Sequence, residues 1–194
     1  MKHLIVYAHP DLASFNHAIL ETAVRTLQDK GHEVAVRDLY ALGFNPVLTG
    51  GDLGAIRSGE TPADLLAEQE AIRAADSLIF IYPVWWAGLP AILKGYIDRV
   101  FAYGFAYAYG ADGNIEALLT GKKGLLISTH GAPSDWYASS GMHQALKMTS
   151  DTGILEFCGI ATQEHLFFGS VGDVDDAARK EMLAQTEAKL QSLF

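Results

Sequence analysis

Residues 77–90 read SLIFIYPVWWAGLP and join a short apolar run to a loop with two adjacent tryptophans. The run 77–82 has the length and composition of a buried strand. Pro90 suits the first turn of a helix, so the loop connects a strand to a helix. In an open α/β sheet such a loop lies at the edge where ligands bind. Trp85 and Trp86 therefore either plug the end of the sheet or form a platform for a flat ligand.

The rest of the chain repeats this alternation of strand and helix. Apolar and alternating runs predict five strands, at 4–8, 33–38, 77–82, 123–129 and 161–168. Helical spacing and start signals predict five helices, which begin near Phe15, Pro62, Pro90, Met142 and Asp173. The pattern predicts a doubly wound α/β fold with a five-stranded parallel sheet, in one domain over residues 1–194. The flavodoxin-like strand order 2-1-3-4-5 is the most economical arrangement.

The composition argues against several classes of protein. The 194 residues carry a net charge of −9, whereas nucleic-acid binding needs clustered lysine and arginine. The single cysteine, Cys158, lies in an apolar run and is expected to be a buried thiol. No apolar run approaches the roughly 20 residues that cross a bilayer, and the N-terminal residues lack a signal-peptide pattern. We therefore expect a cytoplasmic protein that is not inserted into a membrane.

Two other segments are unusual. Residues 39–61 carry the turn signals Asn45-Pro46 and Gly50-Gly51 and predict a long wrapping loop. That loop lies near a binding or subunit surface, or it is an inert excursion. Residues 103–110 read YGFAYAYG, which predicts an extended segment with one aromatic face. The face could pack on the core or line a pocket or interface.

Three long loops, 9–16, 83–88 and 128–143, follow the first, third and fourth predicted strands and should meet at one edge of the sheet. Ser14, Asn16 and the free amides at the start of the first helix form a possible anion site. His9 could donate to a phosphate oxygen or a ribityl hydroxyl. The tryptophan loop and the turn 129–131 could supply an aromatic wall and backbone donors for a flat, electron-accepting ring. Together these features predict a flavin pocket.

Tyr137 and His143 are candidates for proton transfer in that pocket. A phenol near an imidazole can share a proton with a reduced flavin or a quinone oxygen, although each residue alone could be packing or surface. The motifs G-x-S-x-G, C-x-x-C and H-E-x-x-H are absent from the sequence. An α/β-hydrolase and a zinc site are therefore not expected.

Several short motifs occur in a specific order along nearly the whole chain. They include Ala8-His9, Ser14-Phe15-Asn16, Phe44-Asn45-Pro46, Pro83-x-x-Trp86, Gly88-x-Pro90-Ala-Ile-Leu-Lys-Gly95, Phe105-Ala-Tyr107-x-Tyr109 and Phe157-Cys158-Gly159. In these motifs the chain resembles the flavodoxin-like NAD(P)H:quinone oxidoreductases, the diaphorase family. The resemblance implies an NAD(P)H dehydrogenase (quinone) with ping-pong hydride transfer from NADH or NADPH through a bound flavin to a quinone. It also implies an obligate homodimer with active sites at the interface.

The resemblance also implies roles for individual residues, while the scattered histidines leave no metal site expected. The phosphates, ribityl chain and adenine side would be held by His9, Phe15, Asn16 and Gln69, beside the cap residue Ser14. The isoalloxazine would be flanked by the loop residues Pro83, Val84, Trp85, Trp86 and Ala87. Its polar edge would be bonded by Ser128, Thr129, His130 and Gly131. The proton-handling pair would be Tyr137 and His143. The quinone and nicotinamide site would be lined from the partner subunit by Tyr107 and Tyr109.

The chain departs from the family pattern in four places, one of which is a segment from His130 to Tyr137 that is one residue longer. His130 stands where the family has a glycine that allows close approach. Trp85 stands where a glutamine is common, which makes that wall more apolar. The chain also lacks the long C-terminal extension of the animal enzymes, which contributes to their hold on the adenine side. The resemblance implies FAD as the usual cofactor, and the missing extension leaves FMN as the alternative.

Two other functions remain open on the sequence. One is a flavin-binding regulatory subunit of a membrane transporter, which such a fold also serves. The other is a one-electron carrier of the flavodoxin type, which the acidic charge suits. The Phe44-Asn45-Pro46 and 105–109 motifs favour the enzyme.

Overall fold

The computed structural model describes residues 1–194, and its elements alternate between strand and helix. In chain order they are β1 (Lys2–Tyr7), α1 (Phe15–Asp29), β2 (Glu33–Asp38), α2 (Gly50–Arg57), α3 (Ala63–Ala74), β3 (Ser77–Pro83), α4 (Ala91–Val100), β4 (Tyr107–Tyr109), β5 (Ile115–Ala117), β6 (Lys123–Thr129), α5 (Ser134–Ser139), α6 (Met142–Leu146), a π-helical segment (Lys147–Leu155), a 3-10 turn (Glu156–Cys158), β7 (Ala161–Phe168) and α7 (Asp176–Leu193). The main sheet is parallel with order β2-β1-β3-β6-β7, which confirms the predicted order 2-1-3-4-5.

The central strand β3 is buried along its whole length because helices cover both faces of the sheet. Its alternate side chains point to opposite faces. Phe80 and Tyr82 join a core built with α3 and α4, whereas Ile79 and Ile81 join a core built with α1 and α7. Cys158 belongs to the first core, and burial raises the pKa of its thiol to about 11, as expected for a buried cysteine.

The prediction of a plain loop over residues 39–61 is wrong, because the connection contains α2. Thr49 and Asp52 form a capping box in which the Asp52 N–H donates to Thr49 Oγ1 (3.1 Å) and the Thr49 N–H donates to Asp52 Oδ2 (2.9 Å). Arg99 of α4 then binds Asp52 with two hydrogen bonds of 3.1 and 3.0 Å. The sequence does not predict this helix, because three of its eight residues are glycine, which is a poor helix former.

The expectation of a single aromatic face at residues 103–110 is also wrong. The chain turns at Gly104, which has a φ of +83°, so only β4 is extended, and it pairs with β5 in a hairpin that the sequence did not reveal. Phe105 is buried under the guanidinium of Arg73, which lies 4.8 Å from its ring centroid. The tyrosines instead form a partly exposed cluster, in which Tyr103 lies 5.8 Å from Tyr107 and 5.9 Å from Tyr109 between ring centroids.

The C-terminal third contains more helix types than predicted. The loop 128–143 includes α5, and the helix predicted from Met142 changes from α to π to 3-10 geometry before it ends at Cys158. The last helix begins at Asp176, three residues later than predicted, because Asp175 is the residue that caps it. No helix combines the length and the apolar composition that a membrane span requires.

Candidate functional site

The exits of β1, β3 and β6 lie side by side at one edge of the sheet. In the strand registers Tyr7 pairs with Ile81, and Pro83 pairs with Thr129. Past the end of β3, the Val84 N–H donates to the Thr129 carbonyl oxygen at 2.7 Å. The loops that leave these three strands therefore begin within contact distance of one another, as the sequence predicted.

The first loop ends at α1, whose N-terminus faces this edge. Ser14 caps the helix, because its hydroxyl oxygen accepts a hydrogen bond from the His17 N–H at 3.2 Å. The N–H groups of Phe15 and Asn16 precede the first helical hydrogen bond and have no acceptor within the helix. They are therefore available to an anion, which the helix dipole also favours.

Asn16 links this helix to the exit of β6. Its Nδ2 donates to Thr129 Oγ1 at 2.8 Å, and both side chains are buried. The other amide atom, Oδ1, is buried without any hydrogen-bond partner. A buried acceptor without a donor is uncommon in a folded protein, so this oxygen suits a donor group on a ligand.

The second loop is a tight hairpin that presents Trp86 to solvent. Trp85 and Gly88 exchange two backbone hydrogen bonds of 3.1 Å, and Trp86 is fully exposed. Trp86 and Ala87 have φ values of +50° and +56°, which defines a two-residue turn of the I′ type. Such backbone costs about 1–2 kcal/mol for each residue that is not glycine. Strain of this kind concentrates at functional sites.

The replacement Ala87→Gly should raise the free energy of unfolding by about 1 kcal/mol, because glycine adopts a positive φ without steric cost. Ala87 is exposed, so no packing is lost. Denaturant unfolding measures the change. The matched control is Ala184→Gly at an exposed position inside α7, where we expect a loss of about 1 kcal/mol. If both replacements lowered the free energy of unfolding, the backbone at Ala87 would not be strained.

Trp85 packs toward the first loop rather than beside Trp86. Its ring lies 6.1 Å from the ring of His9 between centroids, and about two fifths of the residue is exposed. The two tryptophans therefore have different environments. Trp85 closes the gap between the first two loops, whereas Trp86 is free to contact a bound molecule.

The third loop brings His130, Tyr137 and His143 together. The ring of His130 stacks on Tyr137, with centroids 4.1 Å apart and planes 18° apart. Its Nε2 lies 3.3 Å from Nε2 of His143. Tyr137 is carried by α5 and His143 by α6, and their rings lie 5.7 Å apart. The structure thus places the two predicted proton-handling residues together, with the buried His130 in contact with both.

A buried polar network lies behind this cluster, and the sequence did not reveal it. Phe167 stacks on His143 at 4.3 Å and on His165 at 3.8 Å between centroids. His165 Nδ1 lies 2.8 Å from Asp151 Oδ1, and its Nε2 lies 3.0 Å from Ser128 Oγ. The available signal was the presence of polar residues inside segments expected to be buried, since such groups need partners. Ser128 is fully buried, so its hydroxyl bonds to His165 instead of the open edge where a ligand was expected.

Burial lowers the pKa of all three imidazoles in this region. It is the main cause for His130, where the hydrogen bond to the Ala132 carbonyl opposes it only in part. For His143, the charges of His165 and Lys147 lower the pKa further. For His165, burial outweighs the contact with Asp151. The shifts favour neutral rings, in which one nitrogen donates and the other accepts.

The remaining predicted residues divide into two groups. Pro83, Val84, Ala87 and Gly131 lie at the strand exits, and the N–H of the exposed Gly131 has no acceptor in the protein. Gln69 is elsewhere: it is buried on α3 and donates to the Val100 carbonyl at 3.2 Å. Val100 ends α4, about 15 Å along the helix from the end that follows the tryptophan hairpin. A single chain therefore does not bring Gln69 to the strand exits.

Tyr107 and Tyr109 also lie away from the strand exits of their own chain. Tyr107 packs on Phe157 with centroids 5.3 Å apart, close to the start of β7 and thus to the opposite edge of the sheet. Tyr109 is more than half exposed. These tyrosines can reach a strand-exit site only if that site belongs to a second copy of the chain.

Comparison with known proteins adds a family and named relatives. A family model described as a flavodoxin-like fold matches residues 1–190. An uncharacterized NAD(P)H oxidoreductase of Haemophilus influenzae is 39% identical over 100% of this chain and 98% of its own length. The structure of an NAD(P)H:quinone oxidoreductase from Methanothermobacter marburgensis superimposes with a TM-score of 0.87 and 30% identity, covering 100% of this chain and 96% of the other. General stress protein 14 of Treponema denticola, solved in complex with FMN, has a TM-score of 0.70 and 27% identity, covering 100% of both chains.

Proposed function

Because the chain belongs to the family with the flavodoxin-like fold, we propose that it is an NAD(P)H:quinone oxidoreductase that works through a bound flavin. NADH or NADPH would be the hydride donor and a quinone the two-electron acceptor of this ping-pong activity, with the flavin held at the strand exits. The relatives from Haemophilus influenzae and Methanothermobacter marburgensis are both named for NAD(P)H, which supports NADH or NADPH as the electron donor. The second is also named for quinone, which supports a quinone as the acceptor.

One observation carries the proposal: the helix N-terminus, the tryptophan hairpin and the Tyr137–His143 cluster meet at adjacent strand exits. A flavin needs an anion site, an aromatic surface and donors toward its polar edge. The residues present fit these needs. Asn16 Oδ1 is a buried acceptor without a donor, and the Gly131 N–H is a donor without an acceptor in the protein.

In the proposed complex His9, Ser14, Phe15 and Asn16 hold the phosphate and ribityl part, while residues 83–87 flank the ring. When bound, the flavin supplies the redox chemistry, by accepting hydride from the nicotinamide and passing it to the acceptor. The backbone N–H of Gly131 orients the polar edge of the ring. The side chains of Thr129 and His130 are buried and support this turn from within.

The role of Tyr137 and His143 is to hold and move a proton beside the acceptor. The two rings are 5.7 Å apart at the open end of the site, with His143 half-buried. The lowered pKa of His143 favours its neutral imidazole, in which one ring nitrogen can accept a proton while the other donates one. A quinone that receives a hydride needs one further proton to become the hydroquinone, so a local proton source would accelerate that step.

A cytoplasmic homodimer is part of the same proposal. Tyr107 and Tyr109 would line the acceptor site of the partner subunit, since they cannot reach the site of their own chain. The cofactor is FAD or FMN, and the FMN complex of the Treponema denticola relative supports the second choice. Sedimentation of the purified protein tests the dimer separately from the activity.

The test of the function is simple. The purified protein should absorb as a flavoprotein and oxidise NADH or NADPH when a quinone is added. Heat should release the cofactor, and chromatography should identify it as FAD or FMN. Colourless protein that stays inactive after addition of either flavin would contradict the proposal. Bound flavin with negligible quinone turnover would contradict the enzyme and favour a regulatory role.

The replacement Trp86→Ala should weaken flavin binding by up to about tenfold, because an aromatic contact contributes about 0.5–1.5 kcal/mol. The free energy of unfolding should stay within about 0.5 kcal/mol, since the side chain is fully exposed. Fluorescence titration of the flavin-free protein with FMN and FAD measures the affinity. Leu66→Ala, at an exposed position on α3, is the control and should leave the affinity unchanged. Equal affinities for all three proteins would exclude Trp86 from the flavin site.

A further inference from the structure

We propose that His130 is a positioning residue for proton transfer: it holds the ring of Tyr137 and accepts the Nε2–H of His143, which leaves Nδ1 of His143 to exchange a proton. The inference rests on the proposed function, in which Tyr137 and His143 handle protons. It concerns a residue that stands where the resembled family has glycine, so it is specific to chains that carry this histidine.

The first step is that the His130 ring has a defined orientation. The residue is buried, and its backbone N–H donates to the Phe168 carbonyl at 2.9 Å. Its Nδ1 lies 2.8 Å from the Ala132 carbonyl oxygen. Rotation of the ring would break the second bond and leave the Ala132 carbonyl with the Ser170 N–H as its remaining donor.

The second step is that Tyr137 depends on this ring for its own position. Tyr137 belongs to α5, a helix of six residues that buries none of them. So short a helix has little stability of its own. The face-to-face contact with His130, at 4.1 Å and 18°, is the closest aromatic contact that Tyr137 makes, since Trp136 and His143 lie 5.5 and 5.7 Å away.

The third step assigns the protons of the two histidines. A carbonyl oxygen only accepts, so His130 carries a proton on Nδ1. In the neutral ring its Nε2 is then a bare acceptor. His143 Nε2 lies 3.3 Å from that acceptor and must carry the shared proton. Nδ1 of His143 is therefore unprotonated in the neutral protein, and the bond to His130 is the one side-chain hydrogen bond that His143 makes.

This arrangement determines which nitrogen can take up a proton. A proton that binds His143 at Nδ1 gives an imidazolium whose Nε2–H still donates to His130. A second proton on His130 Nε2 would place two donors against each other and break the bond. The charged groups around the pair are Lys147, near Phe167, and the His165–Asp151 pair behind it. The His130–His143 pair therefore takes up one proton, and it does so at Nδ1 of His143.

Three variants of His130 separate the two parts of the proposal. His130→Phe keeps a ring that can stack on Tyr137 and loses the acceptor. His130→Gln places an amide oxygen near the position of Nε2 and loses the ring. His130→Asn can keep the bond to Ala132 but loses both the ring and the acceptor. Nitrogen chemical shifts from ¹⁵N-labelled histidine in the flavin-free protein report which ring nitrogen of His143 is protonated.

In the natural protein we expect His143 to be protonated at Nε2. His130→Gln should keep that tautomer, whereas His130→Phe and His130→Asn should give a mixture of tautomers. In the flavin-loaded protein, kcat should fall about tenfold in His130→Asn, which is less than the roughly 10²-fold loss expected when a proton-transferring group itself is removed, and KM for the nucleotide should stay nearly unchanged. The fall in kcat should be smaller in His130→Phe than in His130→Asn, because phenylalanine keeps a ring that stacks on Tyr137.

Two results would overturn the proposal. One is a natural protein in which His143 is protonated at Nδ1, and the other is a His130→Asn protein that keeps the Nε2 tautomer. The tautomer is measured without nucleotide, flavin or quinone, so it does not depend on the proposed function. If the natural protein did not reduce quinones, the proposed function would be rejected. The assignment of the protons would still be decided by the tautomer measurement alone.

Discussion

Replacing Arg99 with alanine should lower the free energy of unfolding by about 3–5 kcal/mol, which is the usual cost of removing one partner of a buried ion pair. Arg99 and Asp52 are both buried, and two hydrogen bonds of 3.1 and 3.0 Å join them. Arg99 also donates to the Asn45 carbonyl at 2.9 Å. Its loss leaves the Asp52 carboxylate without a cation and frees the connection between β2 and α2 from α4.

Two controls make this prediction specific. Lys94→Ala removes the other cation of α4 that forms an ion pair, with Asp98, but this pair is exposed and should contribute no more than about 0.5 kcal/mol. The double variant Arg99→Met with Asp52→Leu should recover most of the stability, because no uncompensated buried charge remains. Asp64, which also pairs with Arg99 at 2.8 Å, is exposed, so water solvates its carboxylate when Arg99 is absent. A loss in the double variant equal to that of Arg99→Ala would show that packing, and not the charge, is the cause.

The same pair makes stability depend on pH in a defined direction. Hydrogen bonds from Arg99 lower the pKa of Asp52 from 3.8 to about 2. The lowered pKa stabilises the folded state above about pH 4, and this contribution is lost as the pH falls toward 2. Without Arg99, burial favours the protonated carboxyl. The difference between the natural protein and Arg99→Ala should therefore shrink between pH 4 and pH 2 in urea unfolding.

The second large effect concerns catalysis. Tyr137→Phe and His143→Gln should each lower kcat for quinone reduction by about 10²-fold, the lower end of what a positioned acid or base contributes. The flavin should still bind, because neither change touches the helix N-terminus or the tryptophan hairpin. Stopped-flow kinetics separates reduction by NAD(P)H from oxidation by quinone and shows which half of the cycle is slowed.

Matched replacements away from the site complete this test. Tyr96→Phe removes a buried hydroxyl without a hydrogen-bond partner, in the core beside α4, and should leave kcat unchanged. His32→Gln changes a histidine that contacts His3 at the opposite edge of the sheet and should also leave kcat unchanged. Unchanged kcat in both site variants would remove Tyr137 and His143 from the mechanism.

The sheet and its open edge could be predicted from the sequence because they depend on local patterns. The apolar run that ends before Pro83 predicts a buried strand, and five such runs with helices between them allow few topologies. The strand-exit rule then places the loops after β1, β3 and β6 together. The structure confirms the sheet order and brings these loops into contact.

The helix α2, the β4–β5 hairpin and the π-helical segment could not be predicted in the same way. The helix α2 contains three glycines, and its capping box is held by an arginine 47 residues further along the chain. Before the hairpin, Phe105 is buried in the core under the guanidinium of Arg73, whereas Tyr103 and Tyr109 on either side of it are exposed. In each case a contact with a distant residue outweighs the local propensity.

The sequence by itself determined the α/β architecture, the order of the strands and the edge that carries the unusual loops, because hydrophobic periodicity encodes these features. Only the tertiary structure decided how the side chains at that edge are used. It exposes Trp86 through a strained turn, buries Ser128 against His165, and sets His130 between Tyr137 and His143. These arrangements depend on side-chain contacts between segments far apart in the chain, which no local pattern contains.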